Sequence, residues 1–469
     1  MGLAGKRVVV VGLARSGVAA AEYLARAGAR VVATDSKGAR ELAPEAMSLI
    51  EKGIQLEAGG HRRPSFVGAD LVVVSPGVPW DQPDLEAARA AGVEVIAELE
   101  LGARAITGPV AAITGTKGKS TTTAALGAML AAGGGDVRVG GNIGRPLCSL
   151  LEGATEHTQW VLEVSSFQLE GTVTFHPHLA VFLNLAPDHL DRHASFEDYA
   201  AAKARIFANQ DASDWAVVNA DDPQVLERAR GGRARALPFS VKAPAAGDGA
   251  FFAEGEARLR RDGATESLFA LSDVRLPGAH LALDLLVAGA SARLLGAPAA
   301  QLREAVRGFR GVEHVLERVE EIAGVVFYND SKATNVEAAR RSIESFDSPL
   351  IVILGGHYKG GDFGDLARPL AARGGAVMAI GEAAARVESA LSSSVPVVRS
   401  ASLAEAVEGA FRRARPGDTV LLAPACASFD MFRDYAARGD AFKQAVRALA
   451  ERQRRTKPSA YKKTDKGKA

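Results

Sequence analysis

The chain has 469 residues, 47% hydrophobic and 24% charged, a composition that supports two or three buried cores and excludes a disordered polymer. A formal net charge of +1 gives no field for gathering nucleic acid or an anionic membrane, so neither is expected as a partner. Two cysteines, Cys148 and Cys426, exclude a disulfide framework, and no apolar run reaches the length of a membrane span or signal-peptide core; a cytoplasmic monomer acting on small molecules is the expectation.

Residues 7–12 form a valine-rich run that ends at glycine and gives way to a helical pattern over 18–26, a strand-turn-helix unit. Further strands are expected over 30–34 and 70–74, the last ending in a Ser-Pro-Gly turn. Such alternation predicts a parallel sheet with crossover helices, closing near residue 105. A second α/β segment, 106–309, opens with a strand at 110–113, a glycine loop and a helix over 121–132, then strands at 160–164 and 179–183. Within it, residues 242–273 are charged and glycine-rich and read as loops or hairpins outside the core. A third segment, 310–451, carries strands at 325–328, 350–354, 376–380 and 419–422. Residues 452–469 form a basic tail with little to bury, expected to be disordered.

The strongest chemical signal is Gly115, Thr116, Lys117, Gly118, Lys119, Ser120 and Thr121, placed between an expected strand and an expected helix. Glycines let backbone N–H groups turn toward phosphate oxygens, the helix N-terminus adds partial positive charge, Lys119 neutralises phosphate and Ser120 can ligate Mg²⁺. Ile113 stands where a full Walker A pattern has its first glycine. An earlier glycine turn, residues 12–17, approximates a dinucleotide fingerprint with Asp35 at the ribose position, but Ala14 replaces the middle glycine. Its Cβ crowds a closely held pyrophosphate, which disfavours NAD or FAD. A third constellation, Glu163, the DHLDRH run over 188–193 and Lys203, supplies oxygen and nitrogen ligands at expected carboxyl ends of strands.

In order along the chain, TGTKGKST, GGNIG, EVSSFQL, DHLDRH, AAKARIF, YNDSKATN and PACASFDMF resemble the Mur ligase family. SPGV over 75–78, NDSKATN and PACASFDMFRDY resemble its D-glutamate-adding branch, and no DNPR motif of the diamino-acid-adding ligases is present. The resemblance implies an α/β protein of three domains: a Rossmann-like N-terminal domain, a central P-loop mononucleotide-binding domain and a C-terminal Rossmann-like domain. It implies ATP-dependent joining of D-glutamate to UDP-N-acetylmuramoyl-L-alanine in cell-wall precursor synthesis, through an acyl phosphate. The uridine diphosphate would meet Ala14, Arg15, Asp35, Ser36, Ser75, Pro76, Gly77 and Val78, and Asn142 the sugar-peptide. Two Mg²⁺ ions are implied, one on Ser120 and Glu163, the other on His189 and a carbamylated Lys203. With Lys119, His189 and Lys203 would form the catalytic set. His314, Asp330 and Lys332 would add to the ATP site, and Thr334, Lys359, Ser428 and Tyr435 would hold D-glutamate.

Some positions depart from the family pattern. Lys117 stands where Asn is common, Leu281 and Asp284 where asparagines are usual, and Val315 where Arg is usual, with Arg318 a candidate substitute cation. Competing readings are a ligase for another amino acid or for folate, a nucleotide-sensing regulator without turnover, and a dinucleotide-dependent oxidoreductase.

Overall fold

Valine runs bury on both faces when helices cover a parallel sheet from either side. In the computed structural model, which describes residues 2–189, 192–242 and 247–456, strands β1 (Arg7–Val11), β2 (Arg30–Asp35), β3 (Gln55–Ala58), β4 (Leu71–Val74) and β5 (Glu94–Ala97) follow that rule. They pair in parallel in the order β3-β2-β1-β4-β5, and Val8 to Val11 are fully buried. The order reverses between β1 and β4, which leaves a crevice at their carboxyl ends.

The second sheet has nine strands: β6 (Val110–Thr114), β7 (Val137–Gly141), β8 (Gln159–Glu163), β9 (Leu179–Phe182), β10 (Trp215–Asn219), β11 (Arg235–Lys242), β12 (Gly249–Ala253), β13 (Glu256–Arg261) and β14 (Ala264–Ala270). Their order is β14-β13-β12-β11-β10-β9-β6-β8-β7. The phosphate-loop strand β6 lies between β8 and β9, so the ends of all three open on one place. The expectation that residues 242–273 stay outside the core is corrected here. Residues 249–270 do form hairpins, the antiparallel ladder β12-β13-β14, but Ala250, Ala257, Leu259 and Phe269 are buried in it and extend the central core.

Strands β15 (Glu317–Ile322), β16 (Val325–Asn329), β17 (Leu350–Gly355), β18 (Ala376–Ile380), β19 (Val397–Arg399) and β20 (Thr419–Leu422) make the third sheet, order β15-β16-β20-β17-β18-β19, with only β15 antiparallel. Its last helix, Tyr435–Thr456, runs five residues beyond the expected start of the basic tail; residues 457–469 lie outside the described part. The chain divides into two compact units, Met1–Val274 with Ala282–Phe309, and Arg275–Leu281 with Arg310–Ala469. No helix among the described residues is long and apolar enough to cross a membrane.

Within the first unit, two buried acids on the short helix Glu98–Ala103 join the first sheet to the second. Glu100 accepts from the backbone N–H groups of Val173, Thr174 and Phe175 and from Arg104 Nε. Burial raises its pKa, but these donors outweigh burial and hold it below the usual carboxylate value. Glu98 has far less help. One oxygen accepts from Cys148 N at 2.7 Å, the other is buried without a partner, and burial pushes its pKa up to about 7. A carboxyl whose folded pKa exceeds its unfolded value stabilises nothing by ionising: as pH rises from about 4.5 to 7 the unfolded chain sheds the proton that the folded chain retains. Stability therefore falls across that window, by a contribution on the order of 3 kcal/mol. Replacing Glu98 by Gln should flatten that fall, seen as a melting temperature that drops less between pH 5 and pH 8 than in the parent chain; equal slopes would refute a neutral buried Glu98.

Candidate active site

The loop at residues 115–121 takes its shape from two glycines in conformations that side-chain-bearing residues avoid, Gly115 (φ +150°) and Gly118 (φ +81°). A Cβ at Gly115 would press on Leu183 and Asn184, and one at Gly118 on the Asp284 carboxyl. Helix Lys119–Ala131 starts at the loop's end, so its first N–H groups face the cradle. Asn184, just past β9, clamps the loop by accepting from Lys117 N at 2.8 Å and donating to Lys117 O. Thr116 Oγ1 bridges Ala186 N and the Tyr199 hydroxyl.

Two lysines converge on this loop. Lys119 Nζ donates to the carbonyls of Gly115 (2.9 Å) and Thr116 (3.0 Å), and Lys203 Nζ donates to the same Gly115 oxygen at 2.9 Å. Lys203 is buried, its Nζ 4.7 Å from the centre of the Tyr199 ring. Burial, reinforced by the Lys119 charge, pushes its pKa down to about 7, against the opposing pull of Asp188 and Glu163. Beside the lysines, Ser120 Oγ donates to Glu163 Oε2 at 2.7 Å and Asn142 Nδ2 to Glu163 Oε1 at 2.6 Å. A buried carboxylate next to a hydroxyl at the phosphate cradle is the hard-oxygen donor set that Mg²⁺ prefers. His189 has a positive φ of 54°, with its ring 5.0 Å from Phe167 and 6.3 Å from Tyr199.

A cleft of about 250 Å³ lies where the first sheet's turns meet the second sheet's GGNIG segment. Ala14, Arg15, Ser75, Pro76, Gly77 and Asn142 line it; Asp35, Ser36 and Val78 do not. Asp35 accepts from Leu13 N and Lys37 N, which ties the first glycine turn to the end of β2. Arg15 reaches across to Gly144 O at 3.1 Å. In the early glycine turn the last glycine is sterically required, because a Cβ at Gly17 would sit 1.8 Å from Gly12 O.

The second unit holds the remaining expected residues. His314 is buried against Gly439, with its Nδ1 3.0 Å from Asn329 Nδ2 and its ring edge-on to Tyr435. Asp330 is buried and accepts from Ser342 Oγ and Leu316 N; burial raises its pKa to about 6. Lys332 and Lys359 are exposed, Thr334 is half-buried, and Ser428 is buried at the loop where it accepts Phe432 N. Arg318, the candidate substitute cation, is paired with Glu321 at 2.7 Å.

Sequence reading missed Tyr199, Asn184 and Arg438. Tyr199 was legible: it precedes Lys203 by four residues in helix Phe196–Ala204, one turn along the same face. Asn184 carried the weaker signal of a polar residue at a strand's carboxyl end. Arg438 carried none, because its surroundings come from loops over a hundred residues upstream and a dozen away. Its guanidinium is buried and donates to Ser331 Oγ, Ser331 O, Cys426 O and Ala427 O, which ties the NDSK loop to the PACAS loop. Burial lowers its pKa to about 10. Arg438→Lys keeps a charge but cannot span four acceptors. It should cost about 3 kcal/mol in denaturant unfolding; an unchanged midpoint would remove Arg438 as the tie.

Fold and site together define a P-loop nucleotide-binding α/β protein. Residues 6–97 match the Mur ligase MurD-like, N-terminal domain, residues 113–292 the Mur ligase middle domain, and residues 316–426 the Mur ligase, glutamate ligase domain. A UDP-N-acetylmuramoylalanine--D-glutamate ligase of Acidobacterium capsulatum is 48% identical over 450 residues, 96% of this chain and 97% of that one. The enzyme of the same name from Geotalea uraniireducens is 46% identical over 96% of this chain and 99% of its own length. Among solved structures, the UDP-N-acetylmuramate-alanine ligase MurC of Thermotoga maritima shares the fold with a TM-score of 0.57 at 20% identity, covering 95% of this chain and all of that one. The chain belongs to the Mur ligase family.

Proposed function

We propose that the chain is a cytoplasmic ligase that joins the amine of D-glutamate to the L-alanyl carboxylate of UDP-N-acetylmuramoyl-L-alanine, converting ATP to ADP and phosphate. The observation that carries this reading is the meeting of Lys119, Lys203 and the Ser120–Glu163 pair at the phosphate loop, in a chain 48% identical to a ligase of that name. Segments 1–105, 106–309 and 310–451 would hold the UDP end of the substrate, ATP and D-glutamate respectively.

A carboxylate is a poor electrophile, so it must first take the γ-phosphoryl group and become an acyl phosphate. The chain's part is positioning and charge neutralisation. Lys119, now folded onto the Gly115 and Thr116 carbonyls, turns to the β/γ oxygens, while helix N–H groups bind the remaining phosphate charge. Ser120 and Glu163 would hold one Mg²⁺ and His189 with Lys203 the other; bound Mg²⁺ screens phosphate repulsion. Burial favours the neutral amine of Lys203, the form that reacts with CO₂, so it suits carbamylation at and above pH 7. The resulting anion would sit beside Lys119 and the metal. Among the second-unit residues, Asp330, Lys332 and His314 would meet the nucleotide, and Thr334, Lys359, Ser428 and Tyr435 would take the amino acid, whose two carboxylates suit cationic and hydroxyl donors.

Phosphate release measured with UDP-N-acetylmuramoyl-L-alanine, ATP and either D- or L-glutamate tests the reading: release should require the substrate and the D-isomer together. Release with NAD(P)H binding, or without any amino acid, would turn the assignment toward its rivals. Lys119→Ala should lower kcat by about 100- to 1,000-fold. For Lys203, Ala substitution should cripple turnover and a short-chain carboxylic acid should partly restore it; full activity without rescue would take Lys203 out of the site.

A further inference from the structure

The Ser75–Pro76–Gly77–Val78 turn and the His189 segment belong to different sheets, yet one arginine touches both. Arg192 donates to Val78 O at 2.6 Å, and its guanidinium lies 5.2 Å from the centre of the Phe167 ring. Phe167 in turn packs edge-on against the His189 imidazole (5.0 Å, 61° between planes) and stacks on His193 (5.3 Å, 15°). His193 is fixed by Ser166 Oγ at 3.0 Å and faces Glu170 at 3.4 Å. Phe167 therefore has one face on a rigid imidazole and a cation beside it, and its edge decides where His189 can sit.

The same short helix, Ser166–Glu170, presents Gln168 to the cleft that Ala14, Ser75 and Asn142 line. Just beyond it, Gly171 is where the Trp80 ring packs, since a Cβ there would lie 2.2 Å from that ring. The turn at 75–80 is thus keyed to this helix at two points, the Arg192 hydrogen bond and the Trp80 contact. A ligand seated on Ser75, Pro76 and Gly77 cannot move the Val78 carbonyl without moving Arg192. Arg192 is also tied to the segment it serves, because its own N–H donates to His189 O at 3.0 Å.

We propose that Arg192 and Phe167 are positioning residues that transmit occupancy of the uridine turn to the His189 imidazole, so that the metal- and phosphate-facing side is set only when the UDP end of the substrate is in place. The proposal rests on the substrate reading given under Proposed function. It makes binding of the remote diphosphate end useful to the chemistry, since energy gained at the uridine turn orders a group at the reacting end. Arg192 is suited to the task in a way Lys is not: a planar guanidinium can hold a carbonyl with one edge and lie against an aromatic ring at the same time.

The test uses the full chain with UDP as the probe and no ATP or Mg²⁺. Histidine side chains are labelled with ¹⁵N and the His189 signals identified by their loss in His189→Gln. In the parent chain UDP should shift the His189 ring signals; in Arg192→Ala and in Phe167→Leu that shift should vanish while UDP still binds, and Arg192→Lys should keep part of it. A second readout is kinetic: kcat of Arg192→Ala should fall about tenfold with the KM for ATP unchanged. A UDP-induced His189 shift of full size in Arg192→Ala would overturn the coupling and leave the substrate reading intact. Failure of UDP to bind the parent chain would overturn both.

Discussion

The Gly115 carbonyl oxygen receives two ammonium groups, from Lys119 and Lys203, each at 2.9 Å. Nitrogens that share one oxygen are close enough to repel on the order of 3 kcal/mol at the effective dielectric of a protein site. One carbonyl dipole does not offset that. The arrangement persists because Lys203 is buried and sheds its charge easily, and because Glu163 and Asp188 lie near enough to pull the other way. The repulsion therefore falls on Lys203, which gives up its proton more readily than an exposed lysine, and leaves Lys119 as the standing cation that meets phosphate.

That constraint explains the scaffold around it. Gly115 must turn its carbonyl inward at a φ open only to glycine, and Leu183 and Asn184 close the space where a Cβ would go. Asn184 and Thr116 then fix the loop from the β9 side, and Tyr199 lays its ring under the Lys203 ammonium. Placing β6 between β8 and β9 brings Glu163, Asn184 and the loop to the same end of the sheet. Glu100 and Glu98 serve the same end indirectly, since they bind the first sheet's last helix to the segments that flank β8 and carry the cleft.

How much of this the sequence disclosed follows from how local each signal is. The phosphate loop, the valine strands and the expected helix over 121–132 rest on residues within a few positions of one another, and all are found near where they were expected. Lys203 and Glu163 were legible as chemistry but not as neighbours; only the parallel order of β6, β8 and β9 joins them. The β12-β13-β14 hairpins were legible as hairpins but not as core, because the Arg and Glu residues of β13 hide a period-two alternation that buries Ala257 and Leu259. Asp35, the last residue of β2, shows what sequence does not carry: each of its oxygens already accepts a backbone N–H, from Leu13 and from Lys37.

The departure at 284 takes on a physical meaning once Asp284 is placed. It lies buried in helix Ala279–Leu294 with its carboxyl against Gly118, at the N-terminal end of the phosphate-loop helix, and within reach of the Thr122 hydroxyl. An ionised acid there would compete with phosphate for the same helix N–H field and would repel it. Burial acts the other way, raising its pKa well above the ordinary carboxylate value and so favouring the neutral acid, which has nearly the size and hydrogen-bonding character of an asparagine. The acid is tolerated because the loop packs tightly over it: the Gly118 contact that forbids a Cβ also excludes the water that would ionise it. A position that looks like a lost polar contact in the sequence is, in three dimensions, a conservative exchange whose conservatism depends on dryness.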